Sequence, residues 1–453
     1  MGETGYAFVI VAASIAALLG LILRARMPAF LALLLVSAGF GIVYGMAPGD
    51  VLASIQSGMG GTLGFVAVVV GLGAMLGALL EASGGIRALT SGMLGAFGEK
   101  RAPLALGFVG FVIAIPVFLD VALIILAPVL YGLKAKTGRP IVAFAIPLLA
   151  GLAVSHAFIP PTPGPIAVAD ILGADLGWVI ALGAITGLPA MLIAGPLFAR
   201  WLENRPDFRD TGPGALTETD DAEAGPVSFA LALSVILIPL VLILAGTVVS
   251  AFARGGNPLL PEAVAAAVTF IGHPFIALMI ACLTAWLAFG PGRGVPAGRL
   301  RAAMVKGLEP AGVVVLITGA GGAFKQILVD SEAGAVLAGA LTATGISPLL
   351  FGFAVAAIVR VAQGSATVAM LTAAGLAAPV AALAGLEGAG LALMVMAIAS
   401  GATVLSHVND SGFWLVSRYL GLTEAQTLKS WTVTATLVGL TGLAMTLLLS
   451  LFV

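Results

Sequence analysis

Charge is scarce in this sequence. Only 9% of its 453 residues are Asp, Glu, Lys or Arg, whereas a soluble domain carries about 25%. A water-soluble globular domain is excluded on that ground. The net charge of −1 argues against a nucleic-acid partner, which a basic surface would announce. Cysteine is nearly absent: Cys282 stands alone in an apolar run. This excludes a disulfide within the chain and a cysteine-ligated metal site. Met1–Phe8 has no basic segment of the kind that opens a signal peptide, so the first apolar run is expected to be retained as a span. Phosphate loops, metal-ligand clusters and nucleophile triads are missing too, so neither an ATP-driven pump nor a cofactor or metal is expected.

Apolar residues fill the space, at 60% of the chain with a mean hydropathy of +1.16. Runs of 18 or more apolar residues follow one another, the mark of membrane-spanning helices. Barrel strands would be shorter and alternating. The fold class is therefore an all-α polytopic membrane protein, and its 60 glycines suit close helix packing.

One stretch cannot be continuous helix. Ser155–Pro165 (SHAFIPPTPGP) holds four prolines and a glycine inside the apolar run Pro140–Leu172. Proline lacks an N–H and pushes the residue before it out of helical geometry. Backbone unwound at membrane depth survives only inside protein or along a watery cavity, and broken helices of this kind mark transporter binding sites. Ala102–Leu133 is long for one span and short for two, and it is basic at both ends. We expect a re-entrant hairpin there with its tip near Ile115–Asp120. The second half repeats the plan: Ile346–Ala384 is again too long for one span, and Ser406–Gly412 (SHVNDSG) is a second polar break.

The remaining spans are expected near Tyr6–Leu23, Pro28–Met46, Leu63–Leu80, Trp178–Ala199, Phe229–Ala251, Phe275–Phe289, Ala311–Val329, Leu391–Leu405 and Trp431–Leu451, with a short extra element at Pro258–Ile271. Seventeen of the twenty basic residues then fall in loops on one side, which the positive-inside rule makes cytoplasmic, with both termini outside. Val66–Ser83 aligns with Val314–Ser331 at an offset of 248, and Ser155-His156 meets Ser406-His407 at 251. An odd number of spans per copy inverts the second copy. The expected organisation is a first inverted repeat over 1–199, a charged cytoplasmic linker over 200–226 and a second inverted repeat over 227–453, each with about five spans, a re-entrant hairpin and a broken helix.

Ionisable groups within spans are costly and are functional candidates by default. Asp120, His156 and His407 are candidates for proton coupling, histidine because it titrates near neutrality. For Asp120 the alternative is an ion pair with Lys325 or Arg360. Lys325 and Arg360 are candidates for binding an anion, the guanidinium being suited to a carboxylate; for Arg360 the alternative is a salt bridge holding the second hairpin. Thr162, Gly164, Ser365, Thr367, Asn409, Asp410 and Ser411, with Gln363, offer small polar groups beside the breaks that suit a polyhydroxylated ligand.

The segments IPVFLDVALIILAPVLYGL (Ile115–Leu133), SHAFIPPTPGPIAVADILGADLG (Ser155–Gly177), LITGAGGAFKQILVDS (Leu316–Ser331), RVAQGSATVAMLTAAG (Arg360–Gly375) and SHVNDSGFWLVSRYLGLTEAQTLKSWTV (Ser406–Val433) resemble the gluconate permease (GntP) family. One departure is Glu332, where glycine is expected. The resemblance implies uptake of gluconate or a related sugar acid by proton symport across the bacterial inner membrane. It also implies membership of the ion transporter superfamily, a homodimer and elevator-like movement. Carriers of glycerate, ketodeoxygluconate, fructuronate and D-serine share the family, so it leaves the solute open. A sodium-coupled carboxylate carrier on the same fold is the main alternative. An intramembrane enzyme pairing Asp120 with Asp410 is a remote one, and so is a channel.

Overall fold

The computed structural model describes residues 27–209, 227–254, 258–290, 295–333, 346–408 and 410–453, with scattered positions between 9 and 25. Half of the expected first span, linker residues 210–226 and Asn409 lie outside the described residues. The architecture is helical throughout, with no strand among the described residues. The first half runs α1 (Ala29–Val43), α2 (Pro48–Ala82), α3 (Gly85–Phe97), α4 (Ala102–Ile113), α5 (Leu119–Thr137), α6 (Val142–Phe158), α7 (Pro163–Leu172) and α8 (Leu176–Leu192). A π turn, Ile193–Leu197, carries α8 on into α9 (Phe198–Glu203). The second half runs α10 (Phe229–Arg254), α11 (Glu262–Ile271), α12 (Pro274–Phe289), α13 (Ala297–Asp330), α14 (Pro348–Gln363), α15 (Ala366–Leu383), α16 (Ala389–Thr403), α17 (Ser411–Leu420) and α18 (Glu424–Thr427). A second π turn, Leu428–Thr432, joins α18 to α19 (Val433–Leu449). Seven helices among the described residues are long and apolar enough to cross a membrane, or eight if the bent pair α11–α12 is one span.

The chain breaks where its residues demand it. α6 stops at Phe158, Ile159 turns extended, and Thr162 opens α7 with proline at its first helical position, where the missing N–H costs nothing. The first expected hairpin is interrupted at Ala114–Phe118, between α4 and α5, two helices that make little contact with each other. The second breaks at Gly364, whose φ of 86° only glycine adopts without strain, and Ser365 caps α15.

Two pairs of helices organise the core. α6 is buried along its whole length, as an all-apolar helix must be, and α16 is buried from Ala392 onward. α2 and α13 pack against each other along their length. A β-carbon on Gly58 would press on Gln326 and Ala323, and one on Gly319 on Met59 and Leu63. Glycine lets the two backbones approach. Both helices start some fifteen residues earlier than hydropathy suggested, at Pro48 and Ala297. Their opening turns carry Asp50, Arg299 and Arg301, too polar to read as span, and Pro48 at the first helical position with Asp50 in the first turn suits the start of α2.

Element boundaries recur at a separation of 248 residues. α7 and α17 each have ten residues and end on the left-handed glycines Gly173 and Gly421. Asp175 and Thr423 then cap the next helices. Ser83 and Ser331 end α2 and α13 with the same bonds: each hydroxyl donates to the carbonyl three residues back and accepts from the amide two residues on. Between these bonds, Gly84 and Glu332 both take a left-handed conformation, at φ 80° and 58°. The departure from glycine thus sits where glycine is the unstrained choice.

Two other boundaries differ from expectation. α9 reaches Glu203, inside the stretch read as linker, because Arg139 holds Glu203 at 2.6 Å. Lys429 pairs with Asp207 at 2.7 Å and Gln426 donates to its carbonyl. The last long helix begins at Glu424 rather than Trp431 because Thr423 and Gln426 form a capping box there.

Candidate functional site

Both breaks and both hairpin tips come together. In the first half, the Ser155 hydroxyl at the end of α6 donates to the Phe111 carbonyl of α4 at 2.5 Å. The His156 ring lies 6.4 Å from the Phe118 ring at the hairpin tip. Two glycines of α2 make room for this assembly: a β-carbon on Gly77 would collide with the Pro116 carbonyl, and one on Gly73 would press on Pro161 at 3.3 Å. The result is a small crevice lined by Gly73, Pro116, Val117, His156, Pro161 and Thr162. His156 Nδ1 is buried with no hydrogen-bond partner among the described residues, and Asp120, Asp410 and Arg360 lie within electrostatic reach of the ring.

The second half is clasped by charge. Arg360, 4% exposed, sits in the last turn of α14 and donates through Nη2 to Asp410 Oδ2 at 2.5 Å and through Nη1 to the Gly364 carbonyl. Asp410 caps α17, accepting the Gly412 amide on Oδ1 at 3.0 Å. The Ser406 hydroxyl donates to Asp410 Oδ2, and His407 Nε2 meets the Val361 carbonyl at 3.0 Å. The break contains no proline; it unwinds through Leu405 in a left-handed conformation, φ 51°. Its backbone is satisfied from the last helix: the Leu405 amide donates to Thr436, and Thr432 donates to the Ser406 carbonyl. Exposed irregular backbone would not survive at this depth without such partners.

The structure therefore joins Asp120, His156, Arg360 and Asp410 into one neighbourhood, with His407 beside it. Thr162 lines the crevice, but its hydroxyl is spent on the Ile159 carbonyl at 2.6 Å. Gly164 serves packing, since a β-carbon there would meet Met370 Sδ at 2.5 Å. The Ser365 hydroxyl accepts the Val368 amide. Thr367 is half-buried in the first turn of α15, and Ser411 is exposed at the start of α17. Gln363 adds a buried Oε1 with no partner among the described residues. Arg360 is in an ion pair at the second hairpin, and its partner is Asp410 rather than Asp120.

Lys325 belongs elsewhere. It faces Asp170 of α7, whose carboxyl lies near Thr62 of α2. Sequence reasoning passed over Asp170, although it is an ionisable residue in the same apolar run as His156. It also passed over Trp431, whose Nε1 donates to Ser406 Oγ at 2.7 Å. Nothing in the sequence signals that contact, because an indole N–H finds its partner only on folding.

Residues 6–452 match the GntP family permease profile. The low-affinity gluconate transporter of Escherichia coli K12 is 42% identical over 429 residues, covering 95% of each chain. The L-idonate transporter of the same strain is 37% identical over 440 residues, covering 96% of this chain and 97% of that one. Among solved structures, the Alcanivorax borkumensis YdaH transporter superimposes with a TM-score of 0.65 at 18% identity, covering 93% of this chain and 97% of the other. The Neisseria gonorrhoeae MtrF efflux pump gives 0.60 at 15%, covering 86% and 82%; at such identities both speak for the fold alone. A multi-pass protein of the bacterial inner membrane, the chain belongs to the GntP family of permeases.

Proposed function

We propose that this protein is a secondary active transporter that imports gluconate or a related sugar acid together with protons. The observation that carries the solute class is the 42% identity, over 95% of both chains, to a gluconate transporter. The buried guanidinium of Arg360 between two unwound segments supports a carboxylate ligand. Proton coupling is supported by His156, whose buried Nδ1 has no partner among the described residues and whose ring is within reach of Asp120. Two inverted repeats, over 1–199 and 227–453 with a cytoplasmic linker over 200–226, are supported by the recurring 248-residue separation. Elevator-like movement and a homodimer complete the proposal and rest on the family resemblance, which is an analogy of fold.

The test is uptake of labelled gluconate into proteoliposomes under an imposed proton or sodium gradient, with L-idonate, glycerate and D-serine as competitors. Accumulation driven by protons alone is expected. A requirement for sodium would overturn proton symport, and absence of gluconate uptake under both gradients would overturn the solute assignment. Asp120→Asn is expected to lose proton-driven accumulation; full retention would remove Asp120 from that role and leave His156 and His407.

A further inference from the structure

We propose that Asp410 is an internal stand-in for the ligand carboxylate: it occupies half of the Arg360 donor edge in the empty protein and yields that edge when a carboxylate enters. The proposal rests on the sugar-acid reading above and deepens it. A guanidinium offers Nε and Nη2 side by side, a fork that one carboxylate fills with both oxygens. In Arg360 only half of that fork is used. Nη2 holds Asp410 Oδ2 at 2.5 Å, while Nε is buried with no partner among the described residues.

The reason lies in the helix cap. Asp410 turns Oδ1 to the Gly412 amide as it caps α17, and in that orientation Arg360 meets Oδ2 alone. A free carboxylate has no such commitment and can satisfy Nε and Nη2 together. An unmade hydrogen bond at a buried donor is costly, and the incoming anion removes that cost.

The same surroundings receive Asp410 when it lets go. The indole N–H of Trp431 can only donate, so Ser406 Oγ accepts it at 2.7 Å. The Ser406 proton is thereby directed to Asp410 Oδ2. With Gly412 on Oδ1 and Ser406 on Oδ2, the carboxylate stays hydrogen-bonded after Arg360 has left it. Thr432 fixes the Ser406 backbone from the π turn that also carries Trp431. Trp431 and Ser406 are thus positioning residues, acting on the ligand through Asp410. Ionisable groups near the exchange are Arg360 from α14 and His156 from α6, and Asp120 is within electrostatic reach of the histidine as well.

The experiment is calorimetric titration of the full chain in nanodiscs with gluconate, acetate and the uncharged gluconamide. Asp410→Asn keeps a capping oxygen and removes the competing charge. It is expected to bind gluconate and acetate about tenfold tighter than wild type, the order expected when a charge-assisted competitor is removed, with gluconamide unchanged. Asp410→Ser, a second capping residue, is expected to behave alike and serves should the Asn variant fail to fold. Trp431→Phe is expected to weaken carboxylate binding several-fold in the wild-type background and not in the Asp410→Asn background, a split that a purely structural role would not produce. Gluconate binding to Asp410→Asn no tighter than to wild type would overturn the exchange and leave the sugar-acid reading intact. Tighter acetate binding without gluconate binding would overturn the sugar-acid reading and keep the exchange. No carboxylate binding to any form would overturn both.

Discussion

Glu332 shows how a single residue records its position in the fold. Its φ of 58° lies in the left-handed region, which costs a non-glycine residue about 1–2 kcal/mol. Gly84 holds the corresponding place after α2 at no such cost. Glu332→Gly should therefore raise stability by about 0.5–1 kcal/mol, part of the relief being offset by the greater freedom of glycine in the unfolded chain. A thermal midpoint that falls or stays put would refute this. Asp207 records its position through charge. Lys429 holds its carboxyl below the usual range, first by a hydrogen bond and then by its charge. A depressed carboxyl stabilises the folded form above its unfolded pKa, and that contribution is lost as pH falls through the folded value. Asp207→Asn should thus lower the thermal midpoint slightly at pH 7 in low salt. The difference should fade in high salt, because exposed pairs are weak, and vanish in acid below the ordinary carboxylate range. An equal drop at every pH would point to a lost packing contact instead.

At the scale of elements, the first hairpin depends on one face of α2. Gly77 admits the Pro116 carbonyl, and a methyl group there would strike backbone that cannot rotate away. Gly71, two turns back on the same helix, would place its β-carbon 3.6 Å from the Leu308 side chain, an ordinary contact. Gly77→Ala should reduce uptake at least tenfold at equal expression, while Gly71→Ala should leave it within twofold. Equal effects of the two would show that helix propensity, rather than the fit of the hairpin tip, matters along α2. The two breaks also differ in how they are made. The first is written into the chain by Pro160, Pro161 and Pro163. The second has no proline and is held open by Leu405, Thr432 and Thr436, so strain at this site is sustained by the neighbouring helix.

At the scale of the whole molecule, the distribution of basic residues carries a topology. With Cys282 replaced by serine, single cysteines at Lys100 and at Leu259 should label oppositely in intact cells. A membrane-impermeant maleimide should reach Leu259→Cys from outside and Lys100→Cys only after permeabilisation. The reverse pattern would invert the topology, and labelling of both from one side would remove the inverted repeat. Cys282 itself is buried in α12, its thiol 3.3 Å from the Leu72 carbonyl, so its replacement should cost little.

Hydropathy, proline and charge were enough to make this chain a polytopic helical protein and to mark where its helices are interrupted, since those properties act through local chain chemistry and the solvent each segment can tolerate. Asp120, His156, Arg360 and Asp410 were legible for the same reason: an ionisable group stands out in an apolar run. Pairing was not legible. That Arg360 takes Asp410, that Lys325 faces Asp170 and that Trp431 orients Ser406 depends on which helices meet. The early starts of α2 and α13 escaped hydropathy because their opening turns are polar, although Pro48 and Asp50 are helix-start signals. Local sequence sets what each segment must avoid, and the packing of distant segments decides which partner meets each remaining polar group.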